Sequence, residues 1–186
     1  SYQELIGSRQ ATAGVELAGL LLSLGDTSTA QGLLLESLDQ APAAFREKAA
    51  SQLLDLGDTD RELTLELAQL LDRAGDGRRA LKGYDRVVAL QTESGDGVSV
   101  PLSMRVERAR LMGTVEGRQE EAIEEFRAIR EMAPSDRVGG RNLEVWAQLR
   151  RRQGLDQHVR TLRRWLLREH PGSGEAAEVA WSLANQ

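Results

Sequence analysis

Apolar residues return every three or four positions along most of this chain. Val15, Leu17, Leu21 and Leu22 mark the first run, and Ala176, Val179, Ala180 and Leu183 mark the last. That period places one face of an α-helix towards a core. Read with its glycines and prolines, it predicts ten helices. The first covers 8–24, where Gly25 supplies a left-handed exit. Asp26 or Thr27 caps the second, which runs to about 40. Pro42 opens the third, which ends before Gly57, and Asp58, Thr59 and Asp60 offer caps for a fourth through Ala74. A fifth follows Gly75 to about 90. Pro101 opens a sixth, ending near Gly113, and a seventh follows Gly117. The eighth spans 141–153, the ninth 155–169, and the tenth starts at Glu175. The stretches TESGDGVSV (92–100) and SDRVGG (135–140) read as loops, and Pro171 to Gly174 as a turn with Ser173 as a cap.

One spacing recurs. Gly117 is followed by Ala122, Phe126 and Pro134; Gly25 by Ala30, Leu34 and Pro42; Gly75 by Ala80, Tyr84 and Thr92; and Gly154 by Val159, Arg163 and Pro171. Small residues are expected where two helices of a pair approach closely: Ala18, Ala68 and Ala147 in first helices, Ala30, Ala80 and Ala122 in second ones. Large residues are expected to fill the gaps between pairs: Leu17, Leu67 and Trp146, then Leu34, Tyr84 and Phe126. Proline then limits the second helix. No single pair buries its apolar face, so stacking must make the core continuous.

This pattern resembles the tetratricopeptide repeat over roughly residues 10 to 184. The resemblance implies an all-α fold, a right-handed superhelical solenoid of antiparallel helix pairs forming a single domain over 1–186. The departures are Arg110, Gly113, Arg163 and Thr92, which replace a small, a large apolar, an aromatic or aliphatic, and a proline residue. By the same resemblance a partner docks on the inner face made by first helices. That face comprises Thr12, Val15, Gly19, Leu22 and Ser23, then Glu62, Leu65, Gln69, Asp72 and Arg73. Met104, Glu107, Leu111 and Thr114 follow, and Arg141, Glu144, Gln148, Arg151 and Arg152 complete it. The stretch WLLREHPGSGEAAEVAWSLAN, with its Pro171-Gly172-Ser173 turn, is similar to repeats of bacterial envelope proteins that assist outer-membrane assembly or polysaccharide export.

Composition narrows the chemistry. Aromatic residues make up 4%, so the core is aliphatic and helix-favouring. Cys is absent, which excludes disulfides, zinc–thiolate sites and thiol chemistry. A formal net charge of −5 argues against a nucleic-acid partner, and no apolar run is long enough to span a membrane. His158 and His170 lack companion ligands, so no metal or other cofactor is expected. The serines stand outside any Gly-x-Ser-x-Gly elbow, and no phosphate-binding glycine loop is present. Glu120, Glu121, Glu124 and Glu125 lie within helical reach of Arg118, Arg127 and Arg130, as on a solvated, ion-paired face.

The distribution of charge says more. Residues 1–100 carry 9 Lys/Arg against 16 Asp/Glu, whereas 137–170 carry 9 Arg against 3 Asp/Glu. Arg150, Arg151, Arg152, Arg160, Arg163, Arg164 and Arg168 form a basic run suited to bidentate capture of carboxylates or phosphates. Arginines that cover apolar surface, or face an acidic repeat, account for the same run. These observations leave a non-enzymatic protein–protein scaffold, a fragment of a longer protein, and the resemblance to envelope repeats implies an envelope assembly or polysaccharide-export protein of the periplasm. Its partner would be an acidic segment or an envelope enzyme. A cytoplasmic peptide-binding regulatory domain and a purely structural spacer are the alternatives.

Overall fold

A computed structural model describes residues 2–94, 99–132 and 136–185. Among these residues the chain is all-helical, with ten helices and no strand. They are α1 Tyr2–Leu24, α2 Thr27–Leu38, α3 Ala43–Leu56, α4 Arg61–Ala74, α5 Gly77–Ser94, α6 Leu102–Met112, α7 Gln119–Met132, α8 Asp136–Arg152, α9 Asp156–Glu169 and α10 Gly174–Ala184. They group into two compact units, Ser1–Gly97 and Val98–Gln186.

Local signals set the helix ends. Gly25, Gly57, Gly75, Gly117 and Gly154 all take positive φ, between 73° and 90°. Only glycine enters that region without a Cβ penalty, and it turns the chain out of each helix. Asp26, Asp60 and Ser173 accept hydrogen bonds from the backbone N–H groups of Thr29, Leu63 and Ala176. Pro42 and Pro101 precede the first residues of α3 and α6.

In unit 1, α1 packs on α2 and α4 on α5, with α3 against α1, α2 and α4. The repeated positions are core positions: Ala18, Ala30, Ala68 and Ala80 are fully buried, as is Leu34, and Leu67 and Tyr84 are nearly so. Gly83 lets α5 close on α4, because a Cβ there would lie 2.7 Å from the Ala68 Cβ.

In unit 2, α6 pairs with α7, α8 rests on both and pairs with α9, and α10 rests on α8 and α9. Ala122, Phe126, Ile123, Ile129, Leu143 and Leu166 are fully buried. Phe126 stacks on Trp146 at 6.0 Å between ring centroids, and Trp146 meets Trp165 at 6.4 Å. Burying one such side chain contributes about 1.5–3 kcal/mol. Asn142, also fully buried, donates through Nδ2 to the Phe126 carbonyl at 3.0 Å, tying α8 to α7.

The structure corrects four expectations. Helix α1 begins at Tyr2 rather than 8. Helix α5 runs on to Ser94, with Thr92 and Ser94 hydroxyls donating to the Val88 and Gln91 carbonyls at 3.0 Å each. The rest of that expected loop includes 95–98, outside the described residues. Residues 136–140, expected as loop, are the first turn of α8, and 135 lies outside the described residues. Leu17, expected to fill a gap, is 48% exposed, on a helix whose main packing partners among the described residues are α2 and α3.

The α8 correction has a specific cause. A Cβ on Gly139 would stand 2.2 Å from His170 Cε1, and one on Gly140 would stand 2.6 Å from the Ser173 side chain. The two glycines are there to admit the α9–α10 turn onto a continuous helix. They do not reverse the chain.

Candidate functional site

The expected inner-face residues fall into three groups. In unit 1, Leu65 and Asp72 are half-buried, and Gln69 and Arg73 are exposed along α4. Arg73 Nε donates to the Gln69 carbonyl at 3.2 Å, and the Tyr84 hydroxyl lies 3.5 Å from Asp72 Oδ2. Arg73 lines a shallow cavity of about 330 Å³ with Ala43, Arg46, Glu47, Leu70 and Ala74.

The second group is in unit 2. Glu107 accepts from Arg110 at 2.6 Å and from Arg141 at 3.3 Å, so one carboxylate joins α6 to α8. Glu107 and Arg141 line a cavity of about 650 Å³ with Ser103, Val106, Arg137, Val138 and Glu175. Gln148 donates to Glu144 at 3.2 Å one turn along the same face of α8. Val15, Met104 and Leu111 form the third group. They are 0%, 4% and 3% exposed, so they serve the core and not an open face. Their apolar character is what the helix pairs consume first.

Arg151 and Arg152 part company. Arg152 continues the exposed stripe of α8. Arg151 turns into a groove of about 520 Å³ whose other walls are Asp156, Val159, Arg160, Arg163, Arg164, Leu167 and Leu183. Four guanidinium groups and one carboxylate therefore share a concave surface with three aliphatic residues. Among the described residues, no acid lies within ion-pair distance of Arg151, Arg160, Arg163 or Arg164. The Nε of Arg163 is shielded from solvent without a hydrogen-bond partner. A guanidinium so placed favours a carboxylate, since charge-assisted bonds are about twice as strong as neutral ones.

The adjacent flank of α9 is internally satisfied. Glu169 accepts two hydrogen bonds from Arg130, at 2.8 and 3.0 Å, and one from Arg168 at 2.8 Å. The Arg130 hydrogen bonds hold its carboxyl down to about 2. Arg130 also lies 3.8 Å over the Trp165 ring, a cation–π contact. Likewise Arg105 grips Glu125 across α6 and α7, which raises the Arg105 pKa, and Arg118 holds Glu121 below its ordinary value. The acidic pairs of α7 are thus divided, with Glu121 and Glu125 in ion pairs and Glu120 and Glu124 exposed.

His158 is exposed and lines a cavity of about 160 Å³ beside Trp146 and Trp165. His170 follows the last turn of α9 but is 5% exposed, packed against Gly139. Among the described residues no group of three or more His, Asp or Glu could hold a metal ion, and no helix is long and apolar enough to cross a membrane.

Sequence reasoning placed Arg151, Arg160, Arg163 and Arg164 in one basic run suited to carboxylates or phosphates but did not separate them from Arg150, Arg152 and Arg168. The aliphatic walls Val159, Leu167 and Leu183 carry no signal of their own, since each also fits a helix core position. Comparison with known protein families and with curated proteins finds no match to this chain.

Proposed function

We propose that this chain is a non-enzymatic scaffold that binds another protein through its all-helical surface, in the way implied by its resemblance to tetratricopeptide repeats. The observation that carries this reading is the groove at Arg151, Arg160, Arg163 and Arg164, four cations on one concave surface with no acid paired to them among the described residues. Several arginines of unit 2 are paired with acids, as at Arg130–Glu169 and Arg105–Glu125, whereas these four share one concave surface without such a pair. The proposed setting is the bacterial periplasm, in an envelope assembly or polysaccharide-export machine. That setting rests on the Pro171–Ser173 turn and the alanine-rich helix after it.

The test is affinity capture from separated periplasmic and cytoplasmic extracts, with the intact chain beside an Arg160→Glu, Arg164→Glu variant. One protein retained by the intact chain and lost from the variant supports the scaffold, and the extract that yields it reports the compartment. Specific capture from the cytoplasmic extract alone moves the protein to a cytoplasmic regulatory role. Equal capture by both chains moves the binding surface away from the groove, and capture by neither overturns the reading and leaves a structural spacer.

A further inference from the structure

The small cavity beside Trp146 and Trp165 lies where α7, α8 and α9 meet, and all of its walls come from those three helices. Those walls are held in place before anything enters. Phe126 stacks on Trp146, Trp146 meets Trp165, and Arg130 covers Trp165 at 3.8 Å while binding Glu169. Leu162 completes the apolar part of the lining.

The polar part is one-sided. Arg127 and Arg150 line the cavity, and no carboxylate does. Guanidinium and indole N–H groups only donate hydrogen bonds. Arg127 is in no ion pair among the described residues, although Glu124 and Glu131 stand one turn to either side of it on α7. Arg150 donates to Gln153 Oε1, a neutral amide, at 2.9 Å. Trp146 is 6% exposed, and its Nε1 is shielded from solvent without an acceptor. A buried donor left without a partner costs free energy, which an acceptor in the cavity would recover. Two cations and an orphan donor beside two indole rings call for an anion with an apolar body.

We propose that this cavity binds a small monocarboxylate with a flat apolar body. Its carboxylate meets Arg127 and Arg150, and its body lies against Trp146, Trp165 and Leu162. Size limits the ligand. Sites for drug-sized molecules run to about 300–1,000 Å³, and this one measures about 160 Å³, room for little more than one ring. Inorganic phosphate would satisfy the arginines but leave the indoles and Leu162 wet. The site is separate from the arginine groove and does not depend on the scaffold reading.

The experiment titrates benzoate into the full chain and follows the three indole N–H signals by proton–nitrogen NMR. The signals of Trp146 and Trp165 should move saturably, with a Kd of about 1 mM or below. Trp181, 72% exposed on α10, should stay still. Benzamide, similar in shape but uncharged, should bind at least about tenfold more weakly. Arg127→Gln alters an exposed side chain, so it should weaken benzoate while leaving thermal unfolding unchanged. Still signals at Trp146 and Trp165, or movement of Trp181 alone, overturn the site. Equal binding of benzamide, or full benzoate affinity in Arg127→Gln, overturns the role of the arginines. Phosphate moving the same signals at the same concentration overturns the apolar body and leaves a plain anion site. Each of these outcomes is independent of protein capture.

Discussion

In unit 1 the charged side chains of neighbouring helices close on one another: Glu16 with Lys48 at 2.8 Å and Asp55 with Lys82 at 2.7 Å. Unit 2 closes such pairs as well, at Arg105–Glu125 and Arg130–Glu169, but leaves a cluster of arginines on α8 and α9 without a paired acid among the described residues. Both units bury the alanines and large residues of one spacing, so the difference lies outside the core. Exposed ion pairs contribute about 0–1 kcal/mol each, so their presence or absence does not decide the fold of either unit. Packing therefore accounts for the shared architecture, and the clustered arginines are the feature on which the proposed recognition rests.

That comparison is open to direct attack. The largest effect is expected at the position shared by Leu34, Phe126 and Arg163. Urea unfolding should show losses of about 2–5 kcal/mol for Leu34→Ala and about 3–5 kcal/mol for Phe126→Ala. Arg163→Ala should stay within about 0.5 kcal/mol, as at a surface site. A loss at Arg163 as large as at Phe126 would place the groove inside the folding core and erase the contrast between units.

Overpacking comes next. Ala80→Leu in unit 1 and Ala122→Leu in unit 2 should each cost about 1–3 kcal/mol, as should Gly139→Leu against His170. Gly32→Ala is the control. No atom lies within 4 Å of a Cβ added there, so this helical substitution should stabilise unit 1 by about 0.5–1 kcal/mol. Thermal melts that rank these four alike would refute the close approaches on which both units are built.

Helix caps sharpen the difference between an exposed and a buried turn. Ser173→Ala and Asp60→Ala both remove an N-cap, worth roughly 0.5–2 kcal/mol. Ser173 is 5% exposed and Asp60 is open to solvent, so the Ser173 variant should lose more in chemical denaturation. Equal losses would mean that burial of the α9–α10 turn adds nothing to its cap.

The smallest effect concerns acid. The Glu169 carboxyl is lowered to about 2 from an ordinary 4.5 by hydrogen bonds from Arg130. A depressed acid favours the folded state above its unfolded pKa. The stability it supplies is therefore complete above about 4.5 and is lost as pH falls towards 2. Glu169→Gln should flatten the pH dependence of unfolding across that window. An unchanged slope would show that the Arg130 pair does not persist in solution.

The helices were largely legible because their signals are local. A 3.6-residue period, a glycine that accepts positive φ and a capping oxygen act within a turn or two of chain. Where the reading failed, something else supplied the order. Thr92 and Ser94 extend α5 by bonding to carbonyls of the preceding turn, although their type suggests a loop. Gly139 and Gly140 look like breakers but are demanded by His170 and Ser173, thirty or more residues away. Leu17 fits the apolar period of α1 and still faces outward, because periodicity does not say how many sides of a helix have neighbours.

The candidate site was legible only as a charge. The basic run was plain, but Arg150, Arg152 and Arg168 belong to it as fully as the four residues that share the groove. By itself the sequence determined the ten helical elements, the ends set by glycines and caps, and most of the alanine and large-residue positions that pack them, since these follow from backbone geometry and burial along short stretches. Only the tertiary structure decided that Arg151 joins Arg160, Arg163 and Arg164 beside Leu183, and that Leu111 serves the core. The groove side chains come from three helices, and which faces meet is settled only when α8, α9 and α10 pack together.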